Sequence, residues 1–209
     1  MFSNKVEQYR GFIKLMAVVV IFILGMKTWW LAEDLYWLNG LRTANESEFK
    51  HERMGDIIKI SAASNRIGII SIYFDLQEMP SDIYQEDFSP KSLYLYNCFF
   101  KTLFGGIPII LMLALTVIFL RNIYKGSTPF TLKNANLLKI ISCIAIAYGV
   151  FEQSLAKGFI YKQVFGTFRV ELWTVYMEWL AIMFGVVLLI ISIAFSYGIY
   201  LQEEYNDTV

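Results

Sequence analysis

Ionisable side chains are scarce inside apolar helices, because a charge at the centre of a bilayer costs roughly 2.5–3.5 kcal/mol on insertion scales. This sequence nevertheless places Lys27, Lys101, Glu152 and Glu178 in or beside four long apolar runs, Leu15–Leu31, Phe99–Leu120, Leu137–Phe151 and Trp173–Tyr197. Counting inward at about 1.5 Å per residue puts all four in the outer third of the membrane. Two bases and two acids at one depth neutralise one another, and Gln153 adds a further hydrogen-bonding group. At the same depth Gly105, Gly106 and Pro108 break the second run. The proline offers no amide donor, so the Phe104 carbonyl loses its normal helical partner. A broken helix facing charges is one way to build a polar pocket or an ion pathway. The plainer alternative is that Lys27 and Lys101 snorkel to the headgroups while the acids act as interhelical glue.

Sharper chemistry is missing. His51-Glu52 opens like a zinc-protease motif, but the chain holds a single histidine and so lacks the second ligand. There is no Gly-x-Ser-x-Gly elbow, phosphate-binding glycine loop or Cys-x-x-Cys. The expectation is a protein that is not an enzyme, with no cofactor and no metal. Eighteen basic residues balance eighteen acidic ones, so no global field draws nucleic acid, and no direct nucleic-acid partner is expected. Cys98 and Cys143 lie at opposed ends of two runs and read as packing residues.

A second constellation lies between the second and third runs and at the end of the fourth. Gly126-Ser127-Thr128-Pro129-Phe130-Thr131 is a turn, with Thr131 placed to cap the third helix ahead of Asn134 and Asn136. The fourth run continues through Gly198 into Leu201-Gln202-Glu203-Glu204-Tyr205-Asn206-Asp207-Thr208-Val209. This pairing resembles the bacterial membrane family catalogued as domain of unknown function 2975. Its members share a Gly-x-Pro-Phe turn followed by Asn and Leu, and a C-terminal Leu-Gln-x-Glu-x-Asp-Leu-Thr-Val. Gly198, Leu201, Gln202, Glu204, Thr208 and Val209 fall in register, whereas Asn206 and Asp207 depart and the turn carries one extra residue. The resemblance covers roughly the last half of the chain. It implies a four-span architecture in a bacterial inner membrane and a small cytosolic helix-turn-helix regulator as partner. It implies no reaction. Gly126, Pro129, Phe130, Asn134, Leu201, Gln202, Glu204 and Thr208 are thus the expected cytoplasmic interaction motif.

The elements that position these groups follow from composition. With 56% hydrophobic residues, the chain is too apolar for an ordinary soluble domain. Lipid offers no water to backbone amides, so such runs persist as hydrogen-bonded helices. Four spans are expected, at about 12–32, 97–121, 136–156 and 172–200, with residues 33–96 as an extracytoplasmic insertion. Arg10 and Lys14 before Leu15–Met26 have the shape of a signal peptide, but Trp30 sits badly for cleavage at Ala32, so a retained anchor is expected. Lys5, Arg10 and Lys14 at one end, and Arg121, Lys125, Lys133 and Lys139 in the second connection, place both termini in the cytoplasm. Lys157, Lys162 and Arg169 sit on the wrong side of this assignment. Trp29, Trp30, Trp37, Trp173 and Trp179 form an outer girdle, and Tyr9, Tyr124, Tyr197 and Tyr200 an inner one.

The predicted fold class is an all-α membrane protein with four transmembrane helices and a small extracytoplasmic α/β segment. Ile57–Ser61, Ile67–Phe74, Phe159–Phe165 and Thr167–Leu172 have strand-like composition, Glu46–Met54 reads as a polar helix, and Ser89-Pro90 as a helix start. The expected function is a non-enzymatic sensor, regulator or accessory subunit. The alternative is a small transporter or channel component built on the charged level, which with four spans needs a homo-oligomer or a membrane partner.

Overall fold

The computed structural model describes residues 2–54, 57–64, 68–75, 89–126, 130–165 and 177–208. Helix α1 spans Phe2–Thr43, a single 3-10 turn Glu46–Glu48 follows, and strands β1 (Phe49–Met54), β2 (Ile57–Ser64) and β3 (Gly68–Asp75) come next. Helix α2 (Pro90–Phe100) runs through a π turn (Lys101–Gly106) into α3 (Ile107–Lys125), followed by α4 (Leu132–Phe165) and α5 (Trp179–Thr208). Among the described residues, four helical stretches are long and apolar enough to cross a membrane: Tyr9–Thr43, Pro90–Lys125, Leu132–Glu152 and Trp179–Tyr205. This is a multi-pass membrane protein.

Helices so apolar leave few polar groups for lipid to meet, and those present turn inward. The Thr28 hydroxyl donates to the Leu24 and Gly25 carbonyls, Thr116 to Met112 and Ser196 to Ser192, each within its own helix. The 42 residues of α1 extend about 63 Å, roughly twice the hydrocarbon thickness. The same helix therefore both crosses the bilayer and projects beyond it, and the first ten or so residues expected in the external insertion are helical.

The helices form a row in which α1 packs on α3, α3 on α4 and α4 on α5. One face of α1 lies against its neighbour, whereas Leu15, Val18, Phe22 and Trp29 on the opposite face are each more than 60% exposed. Helix α4 is the most enclosed, burying Ala135, Leu138, Ile141, Ser142 and Ala145. Its pairing with α5 repeats every seven residues. The Glu178 N–H donates to the Gly149 carbonyl (2.9 Å), the Ser142 hydroxyl to the Gly185 carbonyl (2.8 Å) and the Ser192 hydroxyl to the Ala135 carbonyl (2.9 Å). Close approach is possible because the crossing residues are small. A Cβ on Gly149 would stand 2.6 Å from Ile182 Cγ1 and 2.9 Å from the Glu178 carbonyl oxygen.

At one end of the row the three strands form an antiparallel sheet in the order β1-β2-β3. It packs on α2 through β1, where the Phe49 and Tyr94 rings meet edge-on at 5.8 Å, and Leu41, Phe49, Ile60, Leu93 and Tyr94 are all buried. Ser89 caps α2 by accepting from the Ser92 N–H and donates to Glu46 Oε1. The Lys91 ammonium donates to the Ala44 carbonyl (2.6 Å), tying the end of α1 to the start of α2.

Three expectations change. Glu46–Met54 is a 3-10 turn and a strand, not a polar helix, because pairing from Phe49↔Ala62 to Met54↔Ile57 satisfies its backbone while burying Phe49. Phe159–Phe165 continues α4, because extending a formed helix costs little, and Thr167–Leu172 lies outside the described residues. Cys143 is exposed on the apolar surface rather than packed, whereas Cys98 is half-buried. Strands β2 and β3 occupy the positions where strand composition was read, and Trp173 lies outside the described residues.

Candidate functional site at the sheet end

The π turn is the local peculiarity of the Pro90–Lys125 rod, and Pro108 accounts for it. A proline ring in an α-helix collides with the carbonyl four residues back and removes that bond. Here the chain widens instead of stopping: the Ile107 N–H reaches five residues back, to the Thr102 carbonyl. The rings of Tyr96, Phe100 and Phe104 stack in succession across the junction, at 6.2 and 5.7 Å.

Within the widened turn two glycines admit neighbours from opposite helices. A Cβ on Gly105 would stand 3.3 Å from Glu152 Oε1, so the α4 carboxylate rests on the turn's backbone. A Cβ on Gly106 would stand 2.8 Å from Leu31 Cδ1 of α1. The break residues foreseen in the sequence are thus the place where three helices touch.

The charges gather here in part. Glu178 and Lys101 are the charges acting on Glu152, and Tyr148, one turn before Glu152, faces Glu152 and Glu178. Cys98 lies in the fields of Asp34, on α1, and of Lys101. Glu178 precedes α5 and its carbonyl accepts from the Ala181 and Ile182 N–H groups, so its carboxylate sits at the positive end of that helix. The Lys27 ammonium lies 4.9 Å over the Trp30 ring of its own helix. The structure brings Lys101 and Glu178 within electrostatic reach of Glu152 and adds Tyr148, while Asp34 acts on Cys98 and Lys27 stacks on Trp30. The Gln153 side chain lies outside the described residues. One base beside two acids makes an electrostatic site rather than a nucleophilic one. Among the described residues, no three His, Cys, Asp or Glu side chains are grouped to hold a metal.

Comparison with protein-family models, with curated proteins and with solved structures finds no match.

The second constellation lies at the opposite end of the row. The Gly126 N–H donates to the Asn122 carbonyl and closes α3, while Thr131 opens α4 by accepting from the Asn134 N–H. Phe130 lies against α5: a Cβ on Gly198 would stand 2.7 Å from its Cδ1, and its ring is 5.1 Å from that of Phe195. Phe119 of α3 reaches Phe195 at 6.1 Å, and the Lys14 ammonium lies 5.3 Å from the Tyr124 ring centre. Asn134 is buried, at 1% exposure, and faces the protein rather than a partner. Leu201, Gln202 and Glu204 are exposed beyond the Phe130 contact. Pro129 and the Thr208 side chain lie outside the described residues.

Sequence reading missed Asp34, Tyr148 and the three-rung pairing of α4 with α5. The rungs had a signal: Ala135, Ser142 and Gly149 recur every seven residues, as do Glu178, Gly185 and Ser192. Asp34 had none, because nothing local shows that α1 continues past the bilayer.

Proposed function

We propose that this chain is a non-enzymatic membrane sensor or regulator, in which an extracytoplasmic sheet and a cytoplasmic tail lie at opposite ends of one set of packed helices. The observation that carries this reading is the packing of the sheet on α2 through Phe49 on Tyr94, with the start of α2 tied by Lys91 on Ala44 to the end of α1. A disturbance of the sheet is then a disturbance of two membrane helices. At the other end the exposed tail of α5 leaves the body directly at the Phe130–Gly198 contact, so movement of α5 is felt by anything bound there. The basic residues Arg10, Lys14, Arg121, Lys125, Lys133 and Lys139 favour the tail end as the cytoplasmic one. The resemblance in the turn and tail favours a bacterial inner membrane and a helix-turn-helix regulator as the cytosolic partner.

The test compares tagged full-length protein with a form ending at Tyr200. Cytosolic proteins recovered only with the intact tail support the reading, and identical recovery removes it. A reporter fused after Val209 checks orientation independently.

The gathering of Lys101, Glu152 and Glu178 favours a second reading, a transport component using this level for an ion or proton. Reconstituted flux that is lost in the Glu152→Gln, Glu178→Gln double variant supports it. Flux that is absent or unchanged rules it out.

A further inference from the structure

A helix passes rotation and bending along its length only while its bonds and side-chain ridges are continuous. The rod from Pro90 to Lys125 loses both at one point. From Lys101 to Gly106 the bonds follow a five-residue step, Pro108 supplies no donor, and Gly105 and Gly106 present no side chains. The two sides of this point have different neighbours: α3 packs on α1 and α4, whereas α2 packs on β1 as well as on α1 and α4. Upstream, α2 is held to the sheet by Phe49 against Tyr94 and to the end of α1 by Lys91 on Ala44. Across from it, α4 and α5 are locked by the rungs at Gly149, Ser142 and Ala135. Glu152, carried by the locked pair, rests on Gly105 within the weakened turn, and Lys101 is the turn's first residue.

We propose that the Lys101–Gly106 turn is a mechanical joint, at which α2 and the sheet change their setting against the α4–α5 pair. The movement carries Lys101 toward or away from Glu152 and Glu178. The purpose of this joint rests on the sensing reading above, and it supplies the two-state element that transmission requires. A turn that merely accommodates Pro108 would be as stiff as the helix on either side.

The experiment uses the full chain in lipid nanodiscs with Cys98→Ser and Cys143→Ser. Nitroxide labels at Tyr96→Cys and Phe151→Cys span the joint, and labels at Ile118→Cys and Ile140→Cys lie below it; all four native side chains are exposed. The distance distribution across the joint should be about twofold wider than that of the lower pair or wider still. Pro108→Ala, which restores the missing donor, should narrow it to the lower pair's width. Glu152→Gln should shift its mean. Equal widths in the native sequence, or excess width that survives Pro108→Ala, would overturn the joint. An unchanged mean in Glu152→Gln would overturn its coupling to the charges. The labels report without any partner, so a stiff turn leaves the tail-capture result standing, and failed capture leaves the joint standing.

Discussion

The Ser142 hydroxyl donates to the Gly185 carbonyl at 2.8 Å, and on the same rung a Cβ at Gly185 would stand 3.0 Å from the Ser142 carbonyl oxygen. The hydroxyl thus holds together two backbones that only a glycine lets approach. In lipid no hydrophobic force drives helices together, so close packing and such bonds carry the association. Gly185→Leu and Gly149→Leu should each cost about 1–3 kcal/mol, since Ile146 and Ile182 must be displaced. Ser142→Ala should cost about 1 kcal/mol. Equilibrium unfolding in mixed micelles measures both, and a Gly185→Leu variant as stable as the native chain would refute this account of the pair.

At the tail end, Gly198→Leu should expel Phe130 from its place on α5. The turn packs there because glycine leaves room for the ring. The loss should be about 1–3 kcal/mol, and Phe130→Ala in the same chain should recover part of it. Additive losses in a double-mutant cycle would mean that the two residues do not act together.

The sheet depends on a small core. Phe49→Ala removes the ring that packs on Tyr94 and should cost about 3–5 kcal/mol of local stability. Because the helices have their own contacts, limited proteolysis should speed up within residues 49–75 while the α4–α5 fragment survives. Uniform loss of the whole chain would show that the sheet and helices unfold as one unit.

Lys27 and Lys101 should separate in their effects. Lys27 contacts the Trp30 ring, so Lys27→Met should change stability by about 0.5–1 kcal/mol or less. Lys101→Met leaves Glu152 facing Glu178 without their base, so its loss should be larger and Glu152→Gln should offset it. Unfolding of the two single variants and of the Lys101→Met, Glu152→Gln pair checks this. Equal losses for both lysines would contradict the grouping.

Apolar length alone determined the four spanning helices, because lipid permits few other ways to satisfy a backbone over so many residues. Local chemistry likewise marked the Ser89 and Thr131 caps and strands β2 and β3, whose β-branched residues suit a pleated surface. Depth counting placed Lys27 level with the other charges, yet depth says nothing about which side of a helix a residue occupies. Only packing decided that Glu152 meets Gly105 while Lys27 turns to Trp30. Glu46–Met54 became a turn and a strand for the same kind of reason. Its polar residues suit a helix locally, but a neighbouring strand supplied backbone partners and the surface of α2 gave Phe49 a place to bury. Hydropathy is a property of segments and survives reading one residue at a time. Register, facing and contact are relations between segments, and they exist only once the chain has folded.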